Sequence, residues 1–213
     1  MGQISKGILG GFSGQVGSVI GSSWKGINYM RSVPLRKKSR TFSQSQLEQQ
    51  EKFSTMLKFV KNLKDIVAVT FKSLASGMSG SNKAMSYNLA NAITGSYPNY
   101  FINYGTVLIS KGNLPPAGNV AVTTGGSGKI TFSWNDNSGL GKALPTDKAI
   151  LVAYSPDLDT VVYTLTGPMR SATFATLAVE YLSGKQVHTW LAFISDDGKS
   201  VSNSAYSGMI TVD

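Results

Sequence analysis

His188 is the one histidine of this 213-residue chain, and general-base chemistry on an imidazole would have to start there. A Ser–His–Asp relay would use Asp159 or Asp196 as the orienting carboxylate. Val187 and Thr189 flank the histidine in a β-rich run, so a structural role at a sandwich corner or on a sheet face is the stronger reading. With one histidine and no cysteine, His-pair and thiolate metal sites and disulfides are excluded. Three Gly-Lys pairs invite a phosphate-binding loop, which needs a Gly five residues before the paired Gly and a Ser or Thr after the Lys. Gly128-Lys129 has Thr123 and Ile130, Gly141-Lys142 has Asp136 and Ala143, and Gly198-Lys199 has Ser200 but Phe193. All three read as turn glycines. Asp196-Asp197-Gly198 could offer calcium a weak site, but it has the composition of a plain turn. No catalytic residue, cofactor, metal or small-molecule substrate is expected, and the chain is read as a non-enzyme.

Charge is the second chemical feature. Residues 1–40 hold seven basic residues, eight glycines and no acid. Residues 41–112 carry seven basic and three acidic residues, and residues 113–213 carry six and eight, for a net charge of +9. Such asymmetry suggests modules with different partners. Five cations fall within ten residues at Arg31, Arg36, Lys37, Lys38 and Arg40. They suit phosphate contact with counterion release, and Trp24, Tyr29 and Phe42 could stack on single-stranded bases. The same run also fits a solvated linker, or cations facing an acidic surface on a neighbouring subunit.

The elements that must carry these residues change period along the chain. Four glycines between 11 and 21 disfavour a helix at about 1 kcal/mol each. Val16, Ile20 and Trp24 share one parity, and Ile27 and Tyr29 continue it after Lys25-Gly26, which predicts a hairpin turning at 24–27. Thr41 with Gln44 and Ser45 with Glu48 are candidate capping boxes. Phe53, Met56, Leu57, Val60 and Leu63 then mark one face of a helix. Met85, Leu89, Ala92 and Ile93 mark a second, with Gly95 as its C-cap. Tyr100, Ile102 and Tyr104 alternate, and Val107 and Ile109 are expected to continue that strand. Gly112-Asn-Leu-Pro-Pro-Ala-Gly118 reads as a linker. Beyond it, alternating runs at 130–134, 150–154, 161–165, 172–176, 187–194 and 209–212 predict a β-sandwich. No stretch approaches 18 apolar residues, so no membrane span is expected, and glycines interrupt any signal-like core at the N-terminus.

Residues 119–213 resemble an immunoglobulin-like, fibronectin type III-type domain. Trp134 suits the buried core tryptophan, and Leu182-Ser-Gly184 followed by Ser200 and Ser202 echoes that fold's corner passage, with His188 where the corner Tyr is usual. The whole chain resembles the DUF6266 family of Bacteroidota and phage proteins. The passages that carry this are Gly7-Ile-Leu-Gly-Gly-Phe-Ser-Gly-Gln-Val-Gly, Ser23-Trp-Lys-Gly-Ile-Asn-Tyr-Met-Arg, Gly95-Ser-Tyr-Pro and Leu108-Ile-Ser-Lys-Gly. That resemblance implies a phage-like or assembly role and supplies no mechanism.

The expected fold is therefore an α+β N-terminal module, hairpin plus amphipathic helices, over 1–112, a Pro-rich linker at 113–118 and an all-β immunoglobulin-like sandwich over 119–213. The expected function is that of a structural or adhesive component of a phage-type particle or similar assembly, located in a virion or the bacterial cytoplasm. The expected self-association surface is Val16, Ile20, Trp24, Ile27 and Tyr29, and the partners are further copies or other assembly subunits. The alternative is a nucleic-acid-binding protein using the basic segment 31–40.

Overall fold

The computed structural model describes residues 2–4, 7, 10–34 and 41–213. The chain divides into two compact units, Met1–Ser43 and Gln44–Asp213. In the first, β1 (Gln3–Ile4), β2 (Phe12–Val16), β3 (Val19–Trp24) and β4 (Ile27–Ser32) form an antiparallel sheet in chain order. Lys25 and Gly26 both adopt left-handed backbone angles and join Trp24 to its partner Ile27. Positive φ at both central residues matches the twist of the flanking strands.

The second unit has three layers. Helices α1 (Gln44–Asn62), α2 (Lys64–Thr70) and α3 (Gly80–Asn91) form the first, and the hairpin β5 (Ile93–Ser96) and β6 (Asn99–Ile102) follows α3. Ser79 caps α3 by accepting from the Asn82 amide at 3.1 Å. The other two layers are antiparallel sheets. One runs β10 (Thr160–Thr164), β9 (Lys148–Ser155), β12 (Gln186–Ile194), β13 (Ala205–Thr211). The other runs β11 (Phe174–Ala178), β8 (Lys129–Asn135), β7 (Gly118–Thr124). Seven strands in sheets of four and three make a sandwich of immunoglobulin-like kind.

Side-chain alternation along the four-stranded sheet explains the layering. Ala149, Leu151 and Ala153 of β9 point at Ile130, Phe132 and Trp134 of β8. Ile150, Val152 and Tyr154, of the opposite parity, join a second core with Met56, Phe59 and Val60 of α1. Both faces of β9 and β12 are thus covered, so both strands read as near-continuous apolar runs, whereas β8 alternates with its outer residues exposed or half-buried.

Several boundaries differ from expectation. Residues 44–213, with 113–118 among them, form one compact unit in which the helices share a core with the four-stranded sheet. Segment 112–118 is tied down: Leu114 is buried and its amide donates to the Val201 carbonyl at 3.0 Å, and Asn137 Nδ2 donates to the Pro116 carbonyl at 2.9 Å. Val107 and Ile109 are buried but lie outside any strand. Side chains satisfy the backbone there, in place of a ladder. Asn88 bonds both the amide and the carbonyl of Leu108 at 2.9 Å, Ser204 Oγ accepts from the Ile109 amide at 3.0 Å, and Thr70 Oγ1 donates to the Ile109 carbonyl at 2.7 Å. Gly95 is not a helix cap. α3 ends at Asn91, and Gly95 sits in β5 with φ +96°.

Candidate assembly surface

The register of β3 with β4 pairs Ile20 with Arg31, Ser22 with Tyr29 and Trp24 with Ile27. Directly opposed residues and alternate residues share a face, so Ile20, Trp24, Ile27, Tyr29 and Arg31 lie together. Val16 does not join them. The chain turns at Gly17-Ser18, Val16 pairs with Val19, and that pair falls on the opposite face with Gly21 and Met30. The parity read along the sequence failed there because the turn lies between Val16 and Ile20.

On the Gly21 face, a side chain at Gly21 would run into the backbone and ring of Phe12, and one at Gly11 would run into Asn28. Residues 11–12 therefore cross this face at close range, and glycine permits the approach. Both faces nevertheless leave apolar side chains exposed among the described residues: Trp24 at 54%, Ile27 at 68% and Tyr29 at 43% on one, with Ile20 half-buried beside them, and Val16 at 56% and Met30 at 71% on the other. Gly21 is the single buried position among the described residues of this unit. Arg31 is exposed in β4, while Arg36, Lys37, Lys38 and Arg40 lie outside the described residues.

The catalytic candidates are absorbed by packing. His188 is half-buried on β12, its ring stacks on Tyr104 with centroids 3.9 Å apart, and its Nδ1 lies 2.7 Å from the Tyr206 hydroxyl. Burial holds its pKa below the usual 6.5. Asp159 Oδ1 accepts from the Tyr154 hydroxyl at 2.8 Å and from Asn62 Nδ2 at 2.7 Å, which ties β9 and its following turn to the end of α1. Asp196 pairs with Lys148 at 2.8 Å. Asp197 accepts from Ser195 Oγ at 2.6 Å and the Lys199 amide at 3.1 Å, and these bonds hold its pKa below the ordinary carboxylate value. The geometry assembles no Ser–His–Asp relay on these residues. Gly128, Gly141 and Gly198 have φ of +66°, +57° and +69° and serve as turns. Among the described residues, no group of three or more His, Asp or Glu could hold a metal ion. No helix among them is long and apolar enough to cross a membrane.

Sequence reasoning passed over a buried ion pair. Arg170 and Asp147 are fully buried, and Arg170 Nε and Nη2 both reach Asp147 Oδ2 at 3.1 Å. Arg170 Nη2 also donates to the Pro115 carbonyl at 3.2 Å, and its guanidinium lies 3.8 Å from the Phe193 ring centroid. The Arg170 carbonyl accepts from Trp134 Nε1 at 2.7 Å. Trp134 is buried between the sheets, edge-on to Phe193. This cluster locks residues 115–116 against the sandwich. Two isolated charges in separate loops left no local signal of it.

The helical layer carries a second feature that the sequence did not reveal. α1, α2 and α3 enclose a groove of about 1100 Å³, with Phe53, Leu57 and Leu89 along it and Lys52, Lys61 and Lys64 among its lining. The helical period placed Phe53 and Leu57 on the buried face, yet both remain nearly half exposed, at 46% and 47%.

A search of curated proteins finds no match. Among solved structures, the fibronectin type III domain of the human collagen alpha-1(XX) chain is similar at 14% identity and a TM-score of 0.36, covering 46% of this chain and 84% of that one. The model of a family described as "Family of unknown function (DUF6266)" matches residues 11–208, and the chain belongs to that family.

Proposed function

We propose that this protein is a non-enzymatic structural or adhesive component of a phage-type particle or similar assembly, with its first unit as the self-association module. The carrying observation is the sheet of β1–β4, which has one buried position among its described residues and leaves Trp24, Ile27 and Tyr29 exposed on the face that also carries the half-buried Ile20. A small sheet with so little interior is marginal on its own, and an exposed apolar face of this kind marks an interaction site. Further copies of the chain are the partners that this reading requires. Deleting residues 1–33 should convert an oligomer into a monomer in light scattering. An unchanged mass, or a full-length monomer at high concentration, overturns the reading.

A second reading is favoured by one specific observation. Trp24, Tyr29 and Arg31 share one face, an arrangement suited to stacking on single-stranded bases beside a cation. Changing Arg36, Lys37, Lys38 and Arg40 to Ala should then flatten the salt dependence of single-stranded DNA binding by up to about three units. Absence of binding by the unaltered protein at low salt eliminates this alternative.

A further inference from the structure

We propose that the groove between α1, α2 and α3 is a docking site for an acidic amphipathic helix of another protein. Three observations set the occupant. The first is an apolar stripe on α1 that the core does not use. Met56, Phe59 and Val60 pack inward on the four-stranded sheet, while Phe53 and Leu57, four residues apart, stay nearly half exposed along the groove. Residues at i and i+4 lie one above the other on a helix, so the stripe can meet the i, i+4, i+7 anchors of a second helix.

The second observation is charge. Lys52, Lys61 and Lys64 line the groove against the single acid Asp65. The Ser79-capped start of α3 also lines it, adding the positive end of a helix dipole. An anionic flank on the incoming helix is complementary to this surface, and a cationic one is repelled.

The third observation excludes the chain's own helices, because residues 113–213, with eight acidic and six basic residues, form strands and three-residue turns and no α-helix. Residues 1–43 contain no Asp or Glu, and residues 44–112 hold seven basic residues against three acidic ones. Two such helical layers placed face to face would repel. The groove therefore calls for a different protein. It lies in the unit 44–213, and the proposal does not rest on self-association through the first sheet.

The test uses the full chain and a labelled synthetic 18-residue helix with Leu at i, i+4, i+7 and i+11 and Glu on both flanks, followed by fluorescence anisotropy. Two control helices replace Glu by Lys, or Leu by Ser. The acidic helix should bind, and both controls should bind at least about tenfold more weakly, the size of one well-placed apolar or ionic contribution. Phe53→Ser with Leu57→Ser should weaken the acidic helix by a similar factor. Lys61→Glu with Lys64→Glu should invert the preference toward the Lys-flanked helix. These positions are on the groove surface, and an unchanged melting temperature in each variant assigns the loss to the groove. No binding of the acidic helix, or equal binding by the Ser-substituted helix or by the charge-reversed variant, overturns the proposal. So does a chain dimer that Leu57→Ser abolishes, which would make a second copy the occupant. Stoichiometric displacement of the helix by dodecanoate also overturns it and assigns the groove to a fatty acid.

Discussion

Strand β9 is buried at every residue from Ala149 to Ser155, whereas β3 has one buried residue, Gly21, among six. The difference lies in what covers each strand. β9 has the helices on one face and the three-stranded sheet on the other. β3 has one face crossed in part by its own chain at Phe12, and apolar side chains stay exposed on both faces of its sheet, Trp24 and Ile27 on one and Val16 and Met30 on the other. The unit 44–213 thus supplies its own interior, while the sheet of β1–β4 keeps its largest apolar side chains outside. Stability should follow the first arrangement and assembly the second.

The hardest break of that contrast is Trp134→Ala, which removes a core aromatic and leaves the Arg170 carbonyl without its indole donor. It should cost about 3–5 kcal/mol in chemical denaturation. Phe59→Ala tests whether the helices and the sandwich form one unit. Phe59 meets Tyr154 edge-on at 5.0 Å and packs near Trp190, so a loss of about 3 kcal/mol or more is expected. The helical far-ultraviolet signal and the tryptophan fluorescence should shift together. Separate transitions would restore a boundary near 113–118. Arg170→Leu should cost about 3 kcal/mol by stranding the buried Asp147 carboxylate, and adding Asp147→Leu should recover most of the loss. A double variant no better than the single one would show that the Pro115 contact, not the charge, matters.

A smaller effect concerns pH. Burial lowers the pKa of His188 from 6.5, so the unfolded chain takes up a proton at this site at a higher pH than the folded one. Stability from this group is present above about pH 6.5 and falls as the pH drops from there through the lower folded value. His188→Phe should flatten the melting temperature over that window, and an identical pH profile would show that the imidazole is not the sensor. The smallest expected change is in the open sheet. Trp24→Ala should change the unfolding free energy of the 44–213 transition by no more than about 0.5 kcal/mol, while reducing the oligomer seen in light scattering.

Helices α1 and α3, the tight turn at Lys25-Gly26 and most of the sandwich strands were legible in local residue patterns, because a period of 3.6 or 2 and a turn glycine act over a few residues. The run Val187–Ile194 was legible as a strand, but that both its faces are covered was not, because the helices over one face lie far earlier in the chain. What local pattern could not convey was pairing across distance. The fold of Val16 away from Ile20 depends on a turn between them. Segment 107–118 is held by Asn88, Ser204 and Asn137, whose types do not announce their partners.

The amino-acid sequence by itself determined the charge asymmetry, the absence of thiolate chemistry and the strand and helix periods, since these are properties of composition and short-range sterics. Only the tertiary structure decided that the helices and sandwich share a core, that Arg170 finds Asp147, and that Phe53 and Leu57 are left over on a lysine-lined groove. Each of those depends on which surfaces meet once apolar area is buried, and residues far apart in the chain settle that jointly.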